Sequence, residues 1–72
     1  MDAFKIIRII GTSPTSWEDA AKTAVEQAGK HLREMRIAEV ELLDMRLEDG
    51  KVVEYRARVN VSFRYEGERG GA

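Results

Sequence analysis

The run Phe4-Lys5-Ile6-Ile7-Arg8-Ile9-Ile10, continued by Gly11-Thr12-Ser13-Pro14-Thr15-Ser16-Trp17-Glu18-Asp19, decides the architecture of this 72-residue chain. Four isoleucines and a phenylalanine in seven residues favour a pleated, largely buried strand. Gly11 ends it. Pro14 has no N–H to give to a ladder, which puts Thr12 to Thr15 in a turn. Thr15 or Ser16 caps the helix that follows, because Glu18 and Asp19 lie three residues beyond them respectively. Acidic side chains at that place also suit the positive end of the helix dipole.

Working outward, the spacing of Trp17, Ala20, Ala21, Ala24, Val25, Ala28, Leu32 and Met35 predicts a helix over 17–35 with one apolar face. Half of those side chains are alanines, so the helix can lie close to a sheet. Lys22, Glu26, Lys30, Arg33 and Glu34 fall on the solvent side, and Gly29 weakens the interior by up to about 1 kcal/mol relative to alanine. No packing reason for Gly29 is visible in the sequence.

Two further strands follow. Arg36 to Arg46 alternates Ala38, Val40 and Leu42 on one face with Ile37, Glu39, Glu41 and Leu43 on the other. Asp49-Gly50 is a strong hairpin signal within Glu48 to Lys51. Val53 to Tyr65 then alternates Val53, Tyr55, Ala57, Val59, Val61, Phe63 and Tyr65 against Glu54, Arg56, Arg58, Asn60, Ser62 and Arg64. The fold class is therefore α+β, in the order β-α-β-β, with a three-stranded antiparallel sheet against one helix. Centring the hairpin on Asp49-Gly50 sets Glu41 opposite Arg58 and Glu39 opposite Asn60. The sheet face away from the helix is polar and organised, and no remaining segment can cover it. It faces solvent, a second subunit or a ligand.

Composition narrows the function. Twelve Lys and Arg against thirteen Asp and Glu give a net charge of −1 with no basic block, so nucleic acid has little electrostatic support as a partner. The longest apolar stretch, Ile6 to Ile10, is far short of the roughly 20 residues of a membrane span. No signal-peptide pattern follows Asp2, and a cytoplasmic location is the expectation. There is no cysteine, which excludes disulfides and thiolate metal sites. A chain of this length buries only about 60 % of its unfolded surface, so self-association is the remedy left most open. Ser/His/Asp sets, phosphate loops and histidine pairs are all lacking, His31 stands alone, and the chain reads as a non-enzyme. Gly67 to Ala72, without apolar content apart from its final alanine, reads as a disordered tail behind a single domain over 1–66.

The strand, the Gly11-Thr12-Ser13-Pro14-Thr15-Ser16-Trp17-Glu18 helix start, the Ala38-Glu39-Val40 segment and the Tyr55 to Phe63 strand together resemble the dodecin family over roughly residues 4–66. That resemblance implies a hollow homododecamer of cubic symmetry, with sheets turned inward and helices outward. It also implies storage or sequestration of a small ligand, for the family typically a flavin such as riboflavin or FMN. The family's flavin residues are a tryptophan that stacks on the ring and a glutamine that bonds its edge. Ile37 and Arg56 stand at those two positions. Ile37 offers area without the aromatic contribution of about 0.5–1.5 kcal/mol, and Arg56 donates but cannot accept, so flavin affinity should be weakened. Arg64, after Phe63, matches an arginine with which some relatives hold phosphate, whereas the companion position is Asp44. A smaller calcium-binding branch also lacks the flavin tryptophan and is similar at the helix start. On that alternative, calcium needs six to eight oxygens gathered across subunits, with Asp44 and Glu41 as the candidate ligands and Glu39, Glu48 and Asp49 nearby. A structural assembly without ligand is the third reading.

Overall fold

The computed structural model describes residues 2–64; the end of the last strand at Tyr65, the domain limit at 66 and the tail 67–72 lie outside the described residues. The element order is β1 (Phe4–Ser13), α1 (Trp17–Ala28), β2 (Met35–Glu48) and β3 (Lys51–Arg64). All three strands pair antiparallel in the spatial order β1-β3-β2, so β3 is central. The β-α-β-β reading and its single sheet are correct.

Local chemistry accounts for each junction. Asp49 and Gly50 have φ of 52° and 76°, the two left-handed residues that a twisted two-residue hairpin demands, and Glu48 pairs directly with Lys51. β1 runs three residues past the expected stop, because Gly11, Thr12 and Ser13 continue to pair with Ala57, Arg56 and Tyr55. Of the two cap candidates, Ser16 caps α1: its hydroxyl accepts from the Asp19 N–H at 3.0 Å. The buried Ser13 hydroxyl donates to Asp19 Oδ2 at 2.8 Å and accepts from the Thr15 N–H at 3.0 Å. That one hydroxyl ties the end of β1 to the first turn of α1.

The helix is shorter than its apolar periodicity suggests. It ends at Ala28, and the chain leaves through tighter turns in which Lys30 N–H bonds to Gln27 O and His31 N–H to Ala28 O. Glu34, at φ 55°, then redirects the backbone into β2. Met35 thus belongs to a strand, and its methyl sits 3.1 Å from where a Cβ on Gly29 would be. The glycine without a visible purpose makes room for that side chain.

The core is small. Ala20 and Ala24 of α1 lie on Ala57, Val59 and Val61 of β3, with Ile7, Ile9, Ala21, Val25 and Met35 packed around them. The approach is close enough that a Cβ on Gly11 would run into the Ala20 carbonyl oxygen and lie 2.8 Å from the Ala24 Cβ. A 12-residue helix is only about 18 Å long, whereas each hairpin strand of 14 residues reaches about 46 Å. The molecule measures 52 × 19 × 16 Å, and the hairpin tip extends past the helix. α1 lies over β1 and β3, so Val40, Leu43, Leu47 and Val52 remain exposed.

Candidate functional site

The sheet face turned away from α1 is open along its length. β3 lines it with Glu54, Arg56, Arg58, Asn60, Ser62 and Arg64, the set that simple alternation selects. β1 adds Thr12, Ile10, Arg8, Ile6 and Phe4 opposite Arg56 to Arg64 in turn. On β2 the register shifts between Val40 and Leu42, so Glu41 is an extra residue and sidedness inverts after it. Leu42 therefore stands opposite Arg58 on the open face, and Leu43 stands opposite Ala57 on the helix side. This corrects the alternation expected from sequence, which placed Leu42 inward, Leu43 outward and Glu41 against Arg58. Glu39 does face Asn60 as expected.

Ion pairs order this face. Glu41, freed by the bulge, reaches across the sheet to Arg8 at 3.1 Å and accepts from Asn60 Nδ2 at 3.2 Å. Asp44 receives Arg56 through both Nε at 2.8 Å and Nη2 at 3.1 Å, a two-pronged carboxylate grip. Arg56, helped by the field of Arg58, holds the Asp44 carboxyl below the usual carboxylate range. Arg46 bonds Glu54 at 2.9 Å and Glu48 at 2.7 Å, and this holds Glu54 low as well. Arg64 has a long contact of 3.5 Å with Asp2, and its buried Nε has no hydrogen-bond partner.

The candidate residues are thus distributed along one face. Ile37 lies across from Ser62 at 67 % exposure; Ile6, on the other flank of Ser62, is equally exposed. Arg56 is three same-face rows away beside Asp44, and Arg64 is one same-face row beyond Ser62 in the other direction. Glu41 and Asp44 share the face but belong to separate clusters. Among the described residues no group of three or more histidine, cysteine or acidic side chains could hold a metal. One link was not foreseen: Trp17 Nε1 donates to the Asp44 carbonyl oxygen at 3.0 Å, and its ring meets Tyr55 edge-on at 5.2 Å. Trp17 is half-buried rather than a core residue proper. A single helix-face indole, read only as apolar, carries no sign of such a bond.

Comparison with known proteins matches residues 3–66 to the dodecin family model. A calcium dodecin of Mycobacterium tuberculosis is 44 % identical over 64 residues, covering 89 % of this chain and 90 % of that protein. Its crystal structure, described as a calcium-chelating antigen with a novel calcium-binding site, superposes with a TM-score of 0.80 at 42 % identity, covering 89 % and 91 %. Dodecin from Streptomyces coelicolor gives 0.85 at 29 % identity, covering 90 % and 93 %. A Thermus thermophilus protein gives 0.84 at 30 %, covering 92 % and 97 %. Among the described residues no helix is long and apolar enough to cross a membrane.

Proposed function

This chain belongs to the dodecin family, and on that premise we propose that twelve copies close into a hollow shell that holds a small ligand on its sheet-lined wall, with calcium as the ligand. It binds and stores, and performs no chemistry of its own. The observation that carries the choice is the state of Arg56. Its guanidinium is committed to Asp44 through two hydrogen bonds, so it does not address a flavin edge, and Ile37 supplies no ring to stack. The 44 % identity to a calcium dodecin supports the same choice.

Among the described residues one subunit alone does not fit calcium, which takes six to eight oxygens, since no three acidic side chains gather and Asp44 and Glu41 are each paired with an arginine. The fit requires copies brought together, with Asp44 and Glu41 turning to the cation the lone pairs that Arg56 and Arg8 leave free. Assembly itself draws support from the bare apolar residues of β2 and the hairpin tip, and from the groove between Trp17, Ala21, Val40 and Leu43. A core this small gains from such cover.

A second reading keeps flavin as a weakly held ligand. The flanking Ile6 and Ile37 form an exposed apolar pair around Ser62, and this area can still take a ring face. Native mass spectrometry of the purified protein tests both. A twelve-subunit mass with calcium increments that a chelator strips supports the first reading, and flavin-sized increments favour the second. A monomer overturns the shell.

A further inference from the structure

Arg58 sits at the middle of the central strand, half-buried, with Ile10 on one flank and Leu42 on the other, 46 % and 43 % exposed. Its neighbours on this face have acidic partners: Arg8 has Glu41, Arg56 has Asp44 and Arg46 has Glu54. Arg58 makes no direct ion pair or hydrogen bond among the described residues. The cause is the register of β2. Regular pairing from the hairpin brings Glu41 opposite Arg58, but a register shift between Arg46 and Leu47 puts Leu42 there, and the extra residue at 41 restores the register and delivers Glu41 to Arg8. Asp44 lies within reach of the Arg58 field, yet its two oxygens are taken by Arg56.

We propose that Arg58 anchors a binding site for an oxyanion carried on an apolar body, the oxyanion meeting the guanidinium and the body lying on Ile10 and Leu42. A partly desolvated guanidinium gains most from a charge-assisted, two-pronged partner, and carboxylate and phosphate both have that shape. The apolar flanks exclude a bare hydrated anion as the best occupant, because they add affinity only when apolar area covers them. The site rests on the open sheet face of the shell reading and needs no calcium.

The test is a fluorescence titration of the assembled protein with 2-naphthoate and 1-naphthyl phosphate, against neutral 2-naphthalenemethanol and inorganic phosphate. The expected result is at least tenfold tighter binding of an anionic naphthyl probe than of either control. The stronger of the two anionic probes identifies the head group. Arg58→Gln abolishes that preference and Arg58→Lys keeps part of it. Leu42→Ser weakens charged and neutral naphthyl probes alike. Equal binding of charged and neutral probes overturns the proposal, as does a preference that survives Arg58→Gln. Loss of the twelve-subunit mass in both Arg58 variants also overturns it, because Arg58 is then paired by a neighbouring copy. A wild-type protein that is not assembled before any probe is added refutes the shell reading instead.

Discussion

Trp17 holds residue 44 by its backbone: the indole N–H donates to the Asp44 carbonyl oxygen at 3.0 Å from the helix side, while Arg56 grips the same residue's carboxylate on the opposite face. The first residue of α1 thereby fixes the strand position on which the two-pronged ion pair of the open face depends. Trp17→Phe keeps a ring against Tyr55 but removes the donor. We expect a loss of about 1 kcal/mol, the usual net value of one hydrogen bond, read from denaturant unfolding at fixed protein concentration. An unchanged midpoint would show that the bond does not hold the strand.

The two constrained glycines should respond in opposite directions. Gly11→Ala drives a methyl into the Ala20 carbonyl and the Ala24 side chain, so helix and sheet must separate. Overpacking of this kind costs about 1–3 kcal/mol, and it falls here on the heart of the core. Gly29→Ala comes within 3.1 Å of the Met35 methyl and 3.4 Å of the Glu26 carbonyl oxygen, so only the end of a flexible side chain must shift slightly, and its φ of −62° is one that alanine accepts. That variant should be neutral or gain up to about 1 kcal/mol. Thermal midpoints of both variants decide it.

Acid should loosen the open face through Asp44 and Glu54, whose arginine partners hold both carboxyls low. The sign follows from proton binding. The unfolded chain protonates these groups at their ordinary values near 4, while the folded chain still keeps them ionised. Their contribution is therefore fully present above the ordinary carboxylate range and disappears as pH falls through the lowered folded values. Both pairs are solvent-accessible, so the effect is small and fades with salt. A pH series of unfolding midpoints at low salt should bend downward below about pH 4, and Asp44→Asn should flatten that bend.

Restoring the residues of the family's flavin site should restore its ligand. Ile37→Trp with Arg56→Gln supplies the stacking ring and the acceptor. An affinity gain of at least about tenfold for riboflavin, followed by quenching of its fluorescence, is expected from these additions. No gain would mean that the face differs from a flavin site at more than those two positions.

Strand and hairpin were legible because their determinants are local. Isoleucine content marks β1, and Asp49-Gly50 fixes a turn that only left-handed residues can make. The end of α1 was not legible. Leu32 and Met35 keep the helical spacing, but Glu34 takes a left-handed conformation and Met35 joins β2 through contacts that sequence periodicity does not encode. The site was half legible for a similar reason. Alternation put Ile37, Arg56 and Arg64 on the open face, where the pairing also places them, but it has no way to register an inserted residue. The pairing of Glu41 with Arg8, and the lack of a direct acidic partner for Arg58 among the described residues, follow from that insertion and the opposing shift between Arg46 and Leu47.

Position 41 thus works like a reading frame for the strand. Residues Leu42 to Arg46 present the sides they do because one extra residue precedes them and a second register shift, between Arg46 and Leu47, follows them. Deleting Glu41 would leave every one of those side chains chemically intact and set the two halves of β2 out of step, so that one half must present the wrong side to the sheet. If the half after residue 41 yields, Asp44 turns from Arg56; if the half before it yields, Ile37 and Glu39 leave the open face. Shortening a surface loop by one residue is often harmless, but the same edit here rewrites the chemistry of an entire wall.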